Sequence, residues 1–234
     1  MIVELSPSSV SFPPVSMALV EPNGLLAVGG DLSEARLVSA YRSGIFPWFA
    51  ADDPILWWSP NPRAVFVPGD IHCSRSLKKA MRRQPWRVTL NRAFEEVIDE
   101  CATIRAEHEG TWITEPMREA YIELHRKGHA HSVEVWLENA LVGGLYGVSV
   151  GRLFCGESMF HRATNASKVA LHCFANAFVE HGGQLIDCQM ENPHLTSLGA
   201  VPMSREHFLE QLFALRDRPL TGDFWSLGDI SRYL

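Results

Sequence analysis

The stretch 129–161 constrains the fold more than any other part of the chain. It contains HSVEVWL, LVGGLYGVSV and LFCGESMF in close succession. Each segment is rich in β-branched and aromatic residues, and the connectors Glu138-Asn139 and Gly151-Arg152 read as hairpin turns. Three antiparallel strands in a row are expected. NASKVALHCFANAFVEHGG follows as a strong helix, with Val169, Ala170, Cys173, Phe174, Ala177 and Phe178 as its apolar positions and Gly182 at its end. GQLIDCQM is the next strand, and a helix over 204–215 has Ser204 as its cap. This order specifies a mixed α/β (α+β) domain built on one central sheet.

Upstream, EPNGLLAVGGDLSEARLVSAYRSGIFPWF forms a compact unit. Asp31 followed by Glu34 reads as a helix N-cap with its return partner. Leu37, Ala40 and Tyr41 give that helix an apolar face, and Gly44 stops it. Prolines 54, 60 and 62 punctuate the stretch after it and put a boundary near residue 62. Residues 1–62 are expected as a small N-terminal domain and 63–234 as the main one. The main domain opens on a basic helix over 74–83. RVTL, a short strand, comes next. Helix 92–103 presents Phe94, Val97, Ile98 and Cys101, and a further helix starts at Pro116 and ends before Gly128.

Composition excludes some classes of protein. No apolar run reaches the roughly 18 residues of a membrane-spanning helix. The start, MIVELSPSSVSFPP, has neither a basic n-region nor a long apolar core, so no signal peptide is expected. Five widely spaced cysteines without a CxxC pair point to reduced thiols in the cytoplasm, not to a disulfide framework or a zinc knuckle. The net charge is −6, yet Ile71 to Phe94 holds Arg75, Lys78, Lys79, Arg82, Arg83, Arg87 and Arg92 and no acidic residue. Helical spacing gathers Arg75, Lys78, Lys79, Arg82 and Arg83 on one face. That face is either a solvated helix surface or a polyanion site.

GQLIDCQM sets a carboxylate inside an apolar strand. Alternation puts Asp187 and Gln189 on one face and Ile186, Cys188 and Met190 on the other. The polar pair either meets solvent at a strand end or lines a cleft. Glu157, between Gly156 and Ser158, is either exposed at a β-bulge or turned toward a ligand. His129 and His131 lack a third ligand at a recognisable spacing, so no metal is expected. Trp48, Phe49, Trp57 and Trp58 suit a core, and also base stacking. GxSxG, Walker A and GxGxxG patterns are absent, and no serine or cysteine has an evident paired base.

EPNGLLAVGGDLS, YRSGIFPWF, PILWWSPNPRAVF, EGTWIT, GHAHSVEVW, LVGGLYGV, LFCGESMF, NASK and LIDCQ followed by SLGA together resemble the bacterial leucyl/phenylalanyl-tRNA–protein transferases. The resemblance spans roughly residues 4–226, and WWSPNPR and FCGESMF are its most specific parts. It implies a small N-terminal domain packed on a domain similar to the GNAT acyltransferases. It implies transfer of leucine or phenylalanine, also methionine, from aminoacyl-tRNA to proteins that begin with Arg or Lys, which marks them for the N-degron pathway. No cofactor is implied, and a monomer without membrane attachment is expected.

The chemistry is consistent with those residues. An aminoacyl ester is already activated, and an α-amine of reference pKa about 7.7–8.0 has a useful neutral fraction near neutrality. Positioning can supply roughly 7–11 kcal/mol without a covalent intermediate. By resemblance, Asp187 and Gln189 form the reaction centre. Asp187 either polarises Gln189 or holds the acceptor's cation, and Gln189 orients or accepts from the amine. Glu157 lies in the aminoacyl-adenosine pocket, and Trp48, Trp112 and Tyr121 hold the adenosine. Phe154, Leu171, Phe174, Phe178 and Ile186 form the donor side-chain pocket, and Arg75, Lys79, Arg82 and Arg83 bind tRNA. An acyl-CoA-dependent enzyme would carry a glycine-rich turn, which MFHRATNASK lacks. A tRNA- or peptide-binding module would leave the polar residues of the strand without a purpose.

Overall fold

Strands β1 (Val3–Leu5) and β2 (Leu25–Gly29) lead into helix α1 (Glu34–Tyr41), and β3 (Phe46–Pro47) and β4 (Leu56–Trp58) follow. The computed structural model describes residues 2–108 and 112–234. Among these, the first four strands form a sheet ordered β1-β2-β4-β3. Helix α1 buries Leu37, Ala40 and Tyr41 as its spacing predicts. Its cap differs from expectation. Ser33 is the N-cap residue, while Asp31 Oδ1 accepts from the Ser33 N–H at 2.8 Å and its Oδ2 pairs with Arg36 at 3.2 Å. The buried Arg36 guanidinium needs a carboxylate more than the helix start does.

The chain then enters a larger sheet through β5 (Arg63–Phe66). It continues through α2 (Arg75–Arg83), β6 (Trp86–Leu90), α3 (Phe94–His108), α4 (Glu115–Arg126), β7 (Ala130–Leu137), β8 (Ala140–Val150) and β9 (Leu153–His161). Helix α5 (Ala166–Glu180) crosses to β10 (Leu185–Gln189), and α6 (Pro193–Ser197), β11 (Val201–Met203) and α7 (Arg205–Leu215) complete it. Among the described residues this sheet has the order β11-β5-β10-β9-β8-β7-β6. Strands β9 and β10 run parallel, as a helical crossover requires, and the other neighbours are antiparallel.

Both faces of the sheet are covered, so β7 is buried along nearly its whole length. On one face Phe94, Ile98, Met117 and Tyr121 of α3 and α4 pack with Tyr146 and Val148. On the other, Val169, Phe174 and Phe178 of α5 pack with Val133, Leu145 and Phe154. The first of these cores also takes in Leu37, Tyr41 and Trp57 from the N-terminal residues. Among the described residues no helix is long and apolar enough to cross a membrane.

Two irregularities in the central strands prepare the site. In β9, Tyr146 pairs with Ser158 and Gly147 with Gly156, so Glu157 is left over as a bulge. A side chain at Gly147 would run into the Cys155 carbonyl and the Phe154 ring, so glycine is needed opposite the bulge. In β10, Asp187 pairs with Val65 and Gln189 with Ala64, which skips Cys188 and sets Gln189 at φ +61°.

Candidate active site

A bulge re-aims the side chains that follow it. The expectation that Asp187 and Gln189 share a face is therefore corrected, because alternation holds only along a regular ladder. Ile186, Cys188, Gln189 and Met190 all line one cleft. Asp187 points the opposite way and is fully buried. There Arg63 meets it in a fork, with Nε donating to Oδ1 at 2.8 Å and Nη2 to Oδ2 at 2.7 Å. Arg63 Nη1 donates to the Gly44 carbonyl at 3.0 Å, and its guanidinium lies between the rings of Phe46 and Phe208, at 4.9 and 4.5 Å. Burial works against the Arg63 charge, and Asp187 overrides it, holding the guanidinium above its ordinary pKa.

Asp187 also accepts from the Gln189 backbone N–H at 2.8 Å, which fixes the left-handed turn at Gln189. The Gln189 side chain then reaches Glu157, its Nε2 donating to Oε1 at 2.7 Å. Tyr121 donates to Glu157 Oε2 at 3.2 Å, and Tyr41 is hydrogen-bonded to Tyr121 behind it. Burial pushes Glu157 up to about 7, with the Asp187 charge adding to the rise and hydrogen bonds from Tyr41, Tyr121 and Gln189 opposing it. Burial and the Glu157 charge carry the Tyr41 and Tyr121 phenols well above their usual range, so they stay protonated donors.

The cleft encloses about 1070 Å³. Trp48, Trp58 and Trp112 form its walls, Phe154, Leu171, Phe174 and Ile186 its apolar lining, and Glu157, Ser158 and Gln189 its polar end. The Trp58 indole donates to the Trp48 carbonyl at 2.6 Å, which orients the Trp48 edge. The site thus couples an apolar slot to an amide–carboxylate pair, beneath aromatic surfaces that suit a flat ring. Cys188 lines it too, yet burial and the nearby Asp187 raise its thiol well above the usual range, so it is no ready thiolate nucleophile.

The leucyl/phenylalanyl-tRNA protein transferase family model matches residues 65–213, and the model for that family's N-terminal domain matches 30–61. The chain belongs to the leucyl/phenylalanyl-tRNA–protein transferase family. A leucyl/phenylalanyl-tRNA–protein transferase of Idiomarina loihiensis is 61% identical over 98% of each chain. One of Yersinia enterocolitica is 59% identical over 96% of this chain and 94% of its own. Among solved structures, L-PGS from Bacillus licheniformis overlaps at a TM-score of 0.38 with 12% identity, covering 69% of this chain and 52% of that one, a likeness too loose to build on.

The signatures of this transferase family now have physical content. In WWSPNPR, Trp57 donates to the Gly29 carbonyl at 2.9 Å, the Ser59 carbonyl accepts from Arg205 at 2.7 Å, and Arg63 seats Asp187. In FCGESMF, Gly156 and Glu157 make the bulge, and Ser158 Oγ accepts from Arg105 Nε at 2.9 Å. In EGTWIT, Trp112 reaches the cleft, while Glu109–Thr111 lie outside the described residues.

The expected residues divide by position. Trp48, Trp112, Phe154, Glu157, Leu171, Phe174, Ile186 and Gln189 line the cleft. Tyr121 is fully buried behind Glu157, and Phe178 stands behind the slot, 5.1 Å from the Phe174 ring. Asp187 acts from the far side of the sheet. The basic helix is α2. Its cap, Ser74, accepts from the Leu77 N–H at 3.1 Å, Leu77 anchors it, and Arg75, Lys78, Lys79, Arg82 and Arg83 line one exposed depression. Among the described residues none of these five is ion-paired. His129 faces Glu34 at 3.2 Å, and His131 stacks on Trp225 at 3.7 Å.

Sequence reasoning missed Arg63, Tyr41 and Arg105. Arg63 had one available signal, an arginine inside the apolar strand RAVF, which calls for a buried carboxylate elsewhere. Tyr41 reads as plain helix face, and nothing near Arg105 marks it.

Proposed function

We propose that this chain transfers leucine or phenylalanine, and also methionine, from aminoacyl-tRNA to the N-terminal α-amine of proteins beginning with Arg or Lys. Membership in the family supports the donor and the protein acceptor. The observation that carries the reading is the cleft itself, an apolar slot ending on a buried amide–carboxylate pair.

The donor's side chain enters between Phe154, Leu171, Phe174 and Ile186, with Phe178 supporting Phe174. Its adenosine lies against Trp48 and Trp112. Gln189 gives its amide N–H to Glu157, so its carbonyl oxygen is left to accept a hydrogen bond from the attacking amine. Asp187, itself seated by Arg63, positions Gln189 through its backbone N–H; its oxygens are committed there, which speaks against a role in holding the acceptor's cation. Tyr121 acts through Glu157. Arg75, Lys79, Arg82 and Arg83 hold the tRNA backbone. In this reading residues 1–62 form a small domain that supplies Trp48 and Tyr41 to a site whose remainder belongs to 63–234. The protein works as a monomer in the cytoplasm, a compartment that suits five free cysteines, and its product is a degradation signal.

The test is transfer of labelled leucine from leucyl-tRNA to a peptide beginning with Arg. Incorporation is expected, with a peptide beginning with Ala far slower. Valyl-tRNA is expected to be a poor donor because a β-branched side chain is stiff near the ester. Intact tRNA binding without incorporation would favour a binding module instead.

A further inference from the structure

We infer that Glu157 is the catalytic base of the acyl transfer, taking the proton from the attacking α-amine and returning it to the departing ribose oxygen. This rests on the aminoacyl-transfer reading above.

Geometry singles out Glu157. Among the described residues three carboxylates line the cleft: Asp53, Glu157 and Glu191. Asp53 and Glu191 are exposed at the rim, where Asp53 accepts from the Ala50 N–H at 3.2 Å and Glu191 from Thr196 at 3.2 Å. Asp187 is sealed behind the sheet, with both oxygens committed to Arg63 and Gln189. His161 and His194 reach the cleft from exposed positions and have no hydrogen bond to Gln189 or Glu157 among the described residues. Among the described residues Glu157 alone is both on the cleft and bonded to the amide that orients the amine.

The step balances. The amine nitrogen attacks the ester carbonyl carbon, and a C–N bond forms. A proton passes from that nitrogen to a Glu157 carboxylate oxygen. The ester C–O bond breaks, its electron pair leaves on the ribose oxygen, and the proton moves from Glu157 to that oxygen. The products are an amide and tRNA with a free hydroxyl, and Glu157 is restored.

The surroundings suit a reversible proton carrier. Tyr41 from α1 and Tyr121 from α4 stand behind the carboxyl, and Tyr146 from β8 lies beside them with a buried hydroxyl that has no hydrogen-bond partner among the described residues. Arg63, Asp187 and Cys155 bring further charged and titratable groups to it, and Arg105 of α3 lines the same cleft, bonded to the neighbouring Ser158. Burial brings Glu157 to about 7, so near neutral pH both its ionised, accepting form and its protonated, donating form are populated.

The test is the single-turnover rate of leucine transfer to an Arg-starting peptide at saturating acceptor, from about pH 5.5 to about 9. The wild-type rate is expected to show an inflection near 7 in addition to that of the amine. Glu157→Gln keeps the shape of the side chain. It is expected to lower the saturated rate by about 10²–10⁴-fold, to erase the lower inflection, and to leave the peptide KM within about threefold. A saturated rate within about tenfold of wild type would overturn the proposal, as would a persisting inflection. So would a loss confined to KM, which would make Glu157 the holder of the acceptor's cation. If Glu157→Gln does not fold, Glu157→Asp decides: a shifted inflection and a rate at least about tenfold lower support the base, and an unchanged rate and profile overturn it. A wild-type chain that transfers nothing would overturn the underlying reading, and this proposal with it. A working wild type beside an equally fast Glu157→Gln would overturn this proposal alone.

Discussion

Arg63 is not on the cleft, yet the cleft depends on it. Removing one member of a buried pair strands the other charge at a cost of about 3–5 kcal/mol. Arg63→Met is therefore expected to lower unfolding stability by about that amount in a denaturant titration. Pairing it with Asp187→Leu removes the stranded charge and should recover most of the stability. Transfer should not recover, because the Gln189 N–H would lose its acceptor and the left-handed turn its tether. Recovery of both would show that the pair serves stability alone. The same residues give the folded state a pH signature. Glu157 is raised from 4.5 to about 7, so the native state binds more protons than the unfolded one in that window, and stability falls as pH rises through it. His131, lowered from 6.5 to about 3 by burial, opposes this by losing stability as pH falls through its own window. Glu157→Gln isolates the first effect. Its stability relative to wild type should grow from pH 5 to pH 8, by about 3 kcal/mol at most, and a constant difference in denaturant midpoints would contradict it.

At the scale of elements, the tRNA site proposed on α2 stands apart from the chemistry proposed for the cleft. Its basic residues sit on an exposed face held by Leu77 and a serine cap, away from the residues that line the cleft. Contacts to phosphate carry charge and no base identity. Arg82→Ala with Arg83→Ala should weaken tRNA binding and flatten its dependence on log salt by about 0.7–0.9 per lost contact. The leucine-to-valine ratio should not move, and a changed ratio would place α2 in donor selection. This helix was legible in the sequence because its charge and its periodicity agree. So were β7, β8, β9 and α5, whose buried faces force a period that single residues reveal. The bulges were not legible. Each is a mismatch in count between a strand and its neighbour, and one strand's sequence does not carry its partner's register. The alternation rule therefore paired Asp187 with Gln189, where the skip at Cys188 parts them. The Arg63–Asp187 contact spans 124 residues, and no local pattern reports it. The cap of α1 failed for a related reason: Asp31 was drawn to the buried Arg36, a tertiary demand.

At the scale of the molecule, the site is assembled across the boundary proposed near residue 62. Tyr41 stands behind Tyr121, the Gly44 carbonyl receives Arg63, Trp48 walls the cleft, and Leu37, Tyr41 and Trp57 lie in one core with Tyr121, Tyr146 and Phe160. Domains that merely touch through a polar surface can fold apart. Here the contact is the interior itself, and Arg63, the first residue after the boundary, is buried on both sides by aromatic rings. Residues 63–234 alone would expose the apolar side of α4 and leave the Arg63 guanidinium without Gly44 or the Phe46 ring. That fragment is expected to show no cooperative thermal transition and to expose hydrophobic surface to a dye, while the full chain unfolds in one step. A fragment that melted cooperatively and still bound tRNA would mean that residues 1–62 are an accessory to the fold. The two sheets would then be joined by function without depending on each other for stability.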